Sequence, residues 1–365
     1  MPNPMRIGVI GVGKIAEQYF AELPKLSNLV LVAVADLNAA RAGEVAREQG
    51  VEQLSVDALL TDDRIDAVLN LTIPAAHVEV GLRAIAAGKH VFAEKPLGLG
   101  IKEAAQLLQA ADAAGLRVGS APDTVLGTGV QTARNLLDDG KIGTPVGAAA
   151  QWTSPGHESW HPSPQFYYQP GGGPLFDMGP YYLTTLVTMF GPVISVAGSV
   201  STSDRSRSVG TGPLQGTPLD VSIDTHVSAI LFHESGVSST ITVSFDVWQS
   251  RAPKIEIYGT AGTISVADPN RFSDPTEVWT AEAPEWTVAP VSGGYADAGR
   301  GVGLADMARA IETGRPHRAS GQLAFHVLEI MEAVLVAGRE RRVVELTSTT
   351  ERPESVPAGS SPDRW

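Results

Sequence analysis

Apolar and polar positions alternate in blocks along the first third of the chain. Residues 5–10 (MRIGVI), 29–35 (LVLVAVA), 67–73 (AVLNLTI), 90–94 (HVFAE) and 116–121 (LRVGSA) are short β-rich runs. Between them lie segments with helical spacing of apolar residues: about Lys14 to Pro24, Asn38 to Gly50, Pro74 to Gly88, and 101–115. Pro24 stops the first, because proline breaks a helix interior. Asn38 is a good N-cap and Gly50 a good residue just past a helix end. Near-continuous apolar strands separated by amphipathic helices specify a parallel sheet covered on both faces. The pattern predicts a doubly wound α/β domain over 1–122.

Beyond Pro122 the pattern changes. It predicts a helix over 127–139, a strand over 144–153, then a Pro/Gly/aromatic loop (154–173) leading into a helix near Pro174. β-Rich runs follow at 192–202, 223–233, 237–248, 254–259 and 262–267, some joined by short turns such as HESG and GTAG. Little helical signal separates them, so the sheet they build is large, open and mostly antiparallel. Helices are expected over 301–313 and 320–337. The second domain is set at 123–346, with its C-terminal helices free to pack back on the first. The tail 347–365, rich in Ser, Thr, Pro and Glu, is expected to be loose.

Length and composition narrow the function. A chain of 365 residues suits two domains that each bury a core. The formal net charge of −13 argues against nucleic acid or an anionic membrane as a partner. There are no cysteines, which excludes disulfides, thiolate catalysis and cysteine-ligated zinc. The start, MPNPMRIGVIGVG, does not read as a signal peptide, and no uncharged apolar run is long enough to span a membrane. A cytoplasmic location is expected.

One motif points to zinc. Residues 157–161 read HESWH, the H-E-x-x-H pattern that on a helix places two histidines on one metal. Pro162 directly follows His161 and disfavours helical geometry there. The zinc-peptidase reading is therefore set aside, and no metal is expected. The loop keeps another use. Trp152, His157, Trp160, His161, Phe166, Tyr167 and Tyr168 suit a polyol pocket, since aromatic rings stack on sugars and histidines bond hydroxyls.

A second motif points to a dinucleotide. GVGKIA (11–16) follows a strand, opens a helix and fits G-x-G-x-x-A. Gly11 permits the tight turn, Gly13 lets a pyrophosphate approach the backbone beside Lys14 and Ile15, and Ala16 allows close helix–strand packing. Asp36 ends the second strand, where a carboxylate bonds the ribose 2′-hydroxyl and repels a 2′-phosphate. NAD is expected over NADP. Arg41 is the residue that would speak for NADP, but it reads as helix surface.

Glu94 and Lys95 fall at the carboxyl end of a parallel strand, where open α/β sheets place ligands. Pro96 holds Lys95 in an extended backbone. Together, GVGKIA, TIPAAHVEVGLRAIAAGKHVFAEKPL and GGGPLFDMG resemble the Gfo/Idh/MocA family of oxidoreductases, through to about residue 345. The resemblance implies an N-terminal Rossmann domain and a C-terminal domain with a large open sheet. It implies hydride transfer between nicotinamide and a hydroxyl or ketone, usually of a sugar, glycoside or cyclitol. It also implies a homodimer or homotetramer assembled through the sheet face.

By motif, the resemblance assigns Gly11, Gly13, Ala16 and Asp36 to the cofactor, and Thr72, Pro74 and His77 to a segment beside it. Glu94, Lys95 and Pro96 become the catalytic EKP, with Lys95 as the key residue. The family's pattern after the glycines is Asp, Gly two residues on and His four residues on. Asp177 and Gly179 fit, but Tyr181 stands at the histidine's place and Thr184 where an acid is common. Hydride transfer still needs a group to take or give the hydroxyl proton. Tyr181 paired with Lys95 is one candidate, since an ammonium lowers a tyrosine's pKa from about 10. His161 is the other, also contacting substrate with His157 and Trp160. Asp123 is a further candidate for a substrate hydroxyl. The competing reading is a non-catalytic nucleotide sensor or scaffold.

Overall fold

The computed structural model describes residues 4–362. Contacts within the chain separate two compact units. The first takes the chain up to Gln131, then Val291–Leu328, then the chain from Pro353; the second takes Thr132–Pro290 and Glu329–Arg352. This differs from a single break after Pro122. The tail expected to be loose is tied down over its described part. Val356 is fully buried, and its N–H donates to Gln131 Oε1 at 2.8 Å. Residues 363–365 of that tail lie outside the described residues.

The first unit holds a six-stranded sheet: β1 (Met5–Ile10), β2 (Leu29–Ala35), β3 (Glu52–Gln53), β4 (Ala67–Asn70), β5 (His90–Ala93) and β6 (Val118–Ser120). Its helices are α1 (Ala16–Glu22), α2 (Ala39–Gln49), α3 (Val56–Thr61), α4 (His77–Ala86) and α5 (Ile101–Ala114). All strands run parallel in the order β3-β2-β1-β4-β5-β6, so the winding reverses between β1 and β4. That reversal is where doubly wound sheets bind ligands. The core strands are largely apolar, with Ile7, Val9, Val34, Val68 and Phe92 fully buried.

Local chemistry sets the ends of these elements. Asn38 caps α2 by accepting the Arg41 N–H, and Gly50 closes it in the left-handed region. α4 begins at His77 because Pro74–Ala76 form a 3-10 turn first. β4 stops at Asn70, short of the expected Ile73. The Asn70 side chain accepts from both the N–H and the hydroxyl of Thr72, which turns the backbone out of the sheet.

The second unit is built on α6 (Thr128–Asp138, from Thr132 on), β7 (Pro145–Thr153), α7 (Gly173–Phe190), β8 (Val193–Ser201), β9 (His226–His233), β10 (Ser238–Ser244), β11 (Ile255–Gly259), β12 (Gly262–Val266), β13 (Glu277–Thr280) and β14 (Thr287–Val288). Then come α8 (Val302–Thr313, in the first unit), α9 (Gly321–Glu340, in the first unit up to Leu328) and β15 (Val344–Glu345). The sheet order is β14-β13-β12-β11-β7-β10-β9-β8-β15. Every adjacent pair is antiparallel except β7 and β10, which run parallel.

One face of this sheet is apolar and buried, through Ala148, Val196, Leu231, Ile241 and Ile257. The other carries Ser199, Ser228 and Thr240, with Ile230, Phe232 and Tyr258 exposed among them. In α7 every residue except Asp177 is buried.

Candidate active site

β1 runs directly into the glycine turn. Gly11 has φ +96°, and a Cβ there would lie 2.6 Å from the Leu71 carbonyl. Only glycine lets the two backbones cross so closely. At Gly13 a Cβ would meet no protein atom within 4 Å. The space kept open at Gly13 is outside the protein, as an approaching pyrophosphate requires. Ala16 is buried, Ile15 half-buried, and the exposed Lys14 ammonium pairs with Glu17 at 2.6 Å.

Asp36 ties this turn to the end of β2. Its Oδ2 accepts the Val12 N–H and its Oδ1 the Asn38 N–H, both at 2.8 Å. A cavity of about 240 Å³ opens beside Val12, Gly13, Ala16 and Arg41. Arg41 is shared between Glu44 at 3.3 Å and Glu17 at 3.9 Å. The residues present fit a dinucleotide: an open glycine turn, and a carboxylate held in place next to it.

The carboxyl ends of β4 and β5 are stitched together. Glu94 N–H donates to the Asn70 carbonyl at 2.9 Å. His77 is buried between two carbonyls, with Nδ1 2.7 Å from Pro96 O and Nε2 3.0 Å from Thr72 O. Burial pushes its pKa down, against the pull of those carbonyls. The expectation for His77 therefore sharpens: its ring braces the Thr72 segment against Pro96. Pro74 is half-buried, Lys95 is half-buried, and the Lys95–Pro96 peptide is cis.

Glu94 faces inward. Its Oε1 accepts the Tyr19 hydroxyl at 2.8 Å and its Oε2 the Lys95 N–H at 3.0 Å. Arg300 lies 3.9 Å from Glu94 and 4.0 Å from Asp123. Burial, then the two carboxylates, push the Tyr19 phenol well above its ordinary range. Asp123 departs from its expected place at a substrate hydroxyl. It is fully buried, and its Oδ2 accepts the N–H groups of Gly301 and Gly303 at the start of α8. Burial raises its pKa, opposed by Arg300. Tyr19 and Arg300 carry no motif; only the folded chain brings them to Glu94.

In the second unit, HESWH forms a single turn rather than a helix. His157 and Glu158 point to different partners. His157 Nε2 lies 2.8 Å from Asp177 Oδ2, and the Trp160 indole N–H donates to His157 Nδ1 at 3.2 Å. Glu158 Oε1 accepts from Arg207 at 2.6 Å, and its Oε2 accepts the Tyr168 hydroxyl. Arg207 also donates to Asp246 at 2.5 Å and to the Phe245 carbonyl at 2.8 Å. Among the described residues, no group of three or more His, Asp and Glu is placed to hold a metal.

Of the residues expected here, the structure brings His157, Trp160 and Asp177 into one chain of bonds. His161 sits in the same aromatic cluster, with ring centres 5.3 Å from Trp160 and 5.4 Å from Phe166. Its Nδ1 accepts the Ser163 N–H, and partial burial, then His157, lower its pKa. Tyr181 lies one helical turn after Asp177 and is buried. Sequence reasoning missed Arg207. It is fixed only by the fold of residues 202–225, where Val209 and Leu219 pack with Tyr168 and Phe245.

A doubly wound parallel sheet with this turn and acid defines a dinucleotide-binding protein. Residues 5–121 match the oxidoreductase family with an NAD-binding Rossmann fold, and residues 130–265 match the GFO/IDH/MocA C-terminal domain. The chain belongs to the Gfo/Idh/MocA family and is an NAD-binding oxidoreductase. It is 28% identical to a dTDP-3,4-didehydro-2,6-dideoxy-alpha-D-glucose 3-reductase of Actinomadura kijaniata, over 93% of this chain and 97% of that one. It is 26% identical to the myo-inositol 2-dehydrogenase of Thermotoga maritima, over 71% and 74%. The crystal structure of an NAD binding oxidoreductase from Klebsiella pneumoniae shares the fold at a TM-score of 0.81, with 22% identity, over 94% and 99%.

Proposed function

We propose that the protein exchanges hydride between NAD(H) and a hydroxyl or ketone carbon of a sugar, glycoside or cyclitol. The observation that carries this reading is Asp177. It is the one residue of α7 not buried, and His157 and Trp160 hold it beside an aromatic loop suited to stacking on a sugar. The relatives named for a deoxy-sugar reductase and an inositol dehydrogenase support the substrate class.

Gly11, Gly13, Lys14, Ile15 and Ala16 would hold the pyrophosphate, Asp36 the ribose hydroxyls, and Thr72 and Pro74 the region of the nicotinamide. NAD, when bound, supplies the hydride acceptor. Lys95 Nζ donates a hydrogen bond to the reacting oxygen. Tyr181 Oη takes the hydroxyl proton in oxidation and returns it in reduction. Asp177 accepts from a neighbouring hydroxyl, Trp160 offers a stacking face, and His161 relays the proton.

We also infer a homodimer or homotetramer through the open sheet face, whose exposed Ile230, Phe232 and Tyr258 support it. The location is read as cytoplasmic. The net charge of −13 supports a reading without nucleic-acid or membrane partners. A panel of sugars, glycosides and inositols with NAD and NADP, followed at 340 nm, tests the reading. Lys95→Met is expected to abolish turnover while NADH still raises the Tm. Unchanged turnover removes the lysine role. NADH binding without turnover on any substrate turns the reading to a sensor.

A further inference from the structure

We propose that Trp160 is a positioning residue that fixes His157 as the Nε2–H tautomer, and that His157 in this form orients Asp177. The consequence for catalysis rests on the reading of Asp177 as a substrate contact; the tautomer itself does not. An indole N–H can only donate. At 3.2 Å from His157 Nδ1, it makes that nitrogen an acceptor. The ring proton is then on Nε2, aimed at Asp177 Oδ2 at 2.8 Å. A second proton would put an N–H on Nδ1, facing the indole N–H donor to donor. Asp177 alone would favour the imidazolium, so Trp160 opposes the charge that Asp177 would otherwise draw onto the ring.

Four aromatic rings surround the imidazole. Tyr167, Phe245, Trp160 and Trp152 stand 4.4, 4.8, 5.0 and 5.7 Å from it, centre to centre. Its backbone N–H donates to the Tyr168 hydroxyl at 3.2 Å. The charged and titratable groups around it are few. Asp177 comes from α7, His161 from the same loop, and Tyr167 and Tyr168 from the following turn. Glu158 is offset by Arg205 and Arg207 from the 202–225 segment, with Asp246 beyond them. Asp177 thus receives a hydrogen bond from the Nε2–H of the ring. Trp160 is 57% exposed, so its own ring is open to the same substrate.

The test is ¹⁵N-histidine NMR of the whole protein without ligand, with the His157 signal assigned by its loss in His157→Gln. In the wild type, His157 is expected as the Nε2–H tautomer. Trp160→Phe removes only the indole donor at a half-exposed position, and the Nδ1–H tautomer should then become populated. On any substrate found active, Trp160→Phe should lower kcat roughly tenfold, with NADH affinity unchanged. A wild-type His157 in the Nδ1–H tautomer, or a variant whose tautomer is unchanged, overturns the proposal. An unchanged kcat also overturns it. Absence of any turnover would count against the substrate reading alone, because the NMR result stands without it.

Discussion

His77 in the first unit and His157 in the second are both buried between two hydrogen-bonding groups, and the two settings differ in kind. His77 lies between two carbonyl oxygens, so a neutral ring can donate to only one of them. His157 lies between an indole donor and a carboxylate, so a neutral ring satisfies both. Around His77 the loops are bound mainly through backbone atoms of neighbouring strand ends. Around His157 they are bound through long side chains drawn from distant segments. The first region is held by its chain path, and the second by paired side chains.

The largest effect should come from breaking the second region. Arg207→Met leaves Glu158 and Asp246 without their buried partner. Removing one member of a buried ion pair costs about 3–5 kcal/mol, readable as a lower urea midpoint. A loss under about 1 kcal/mol would show that this region does not depend on its charges.

The first region should yield less. His77→Gln replaces the rigid ring that bridges the Pro96 and Thr72 carbonyls with a flexible amide, and displacing a buried hydrogen bond there costs about 1–3 kcal/mol. It should also weaken NADH binding, since the Thr72 segment loses its brace. The sign of the pH effect is fixed. Burial holds His77 below its ordinary value of 6.5, so the unfolded chain takes the proton first as pH falls. Stability is lost below about pH 6.5, and the variant should show a shallower acid slope in urea titrations from pH 7 to 5. An unchanged slope would assign the acid sensitivity elsewhere.

The smallest effect on stability should follow Gly13→Ala. A Cβ there meets nothing within 4 Å, so the urea midpoint should move by less than about 0.5 kcal/mol while NADH affinity falls at least roughly tenfold. A large stability loss with intact NADH binding would make Gly13 a folding residue like Gly11.

The fold was legible where the rules are local. The apolar run 29–35 became β2 over the same residues, and Asn38 and Gly50 bound α2 as their chemistry predicts. Two-residue strands such as β3, and the six-residue α3 that Ser55 caps, were too short to stand out. The parallel pairing of β7 with β10 and the return of α8 to the first unit depend on contacts that no local pattern encodes. The candidate site divides in the same way. Contiguous motifs nominated Gly11, Asp36 and Lys95 as candidates. Pro162 ruled out a zinc helix, yet nothing local told that His157 would meet Asp177 20 positions away, or Glu158 meet Arg207 49 positions away. Asp123 looked available because it follows a strand, and only the fold of α8 explains its burial.

The outer edge of β6 is closed by a segment made much later. Ser120 N–H donates to the Ala319 carbonyl, Gly119 bridges Ser320, and His317 Nε2 reaches the Val118 carbonyl across 199 positions. As the chain leaves the ribosome, five neighbouring strands can assemble early, but the sixth keeps a bare edge until those residues emerge. Such delayed, distant closure slows folding, and an open edge invites pairing with other chains. A gene fragment ending at Pro122 would carry that edge permanently and should form aggregates where the full-length product stays dispersed.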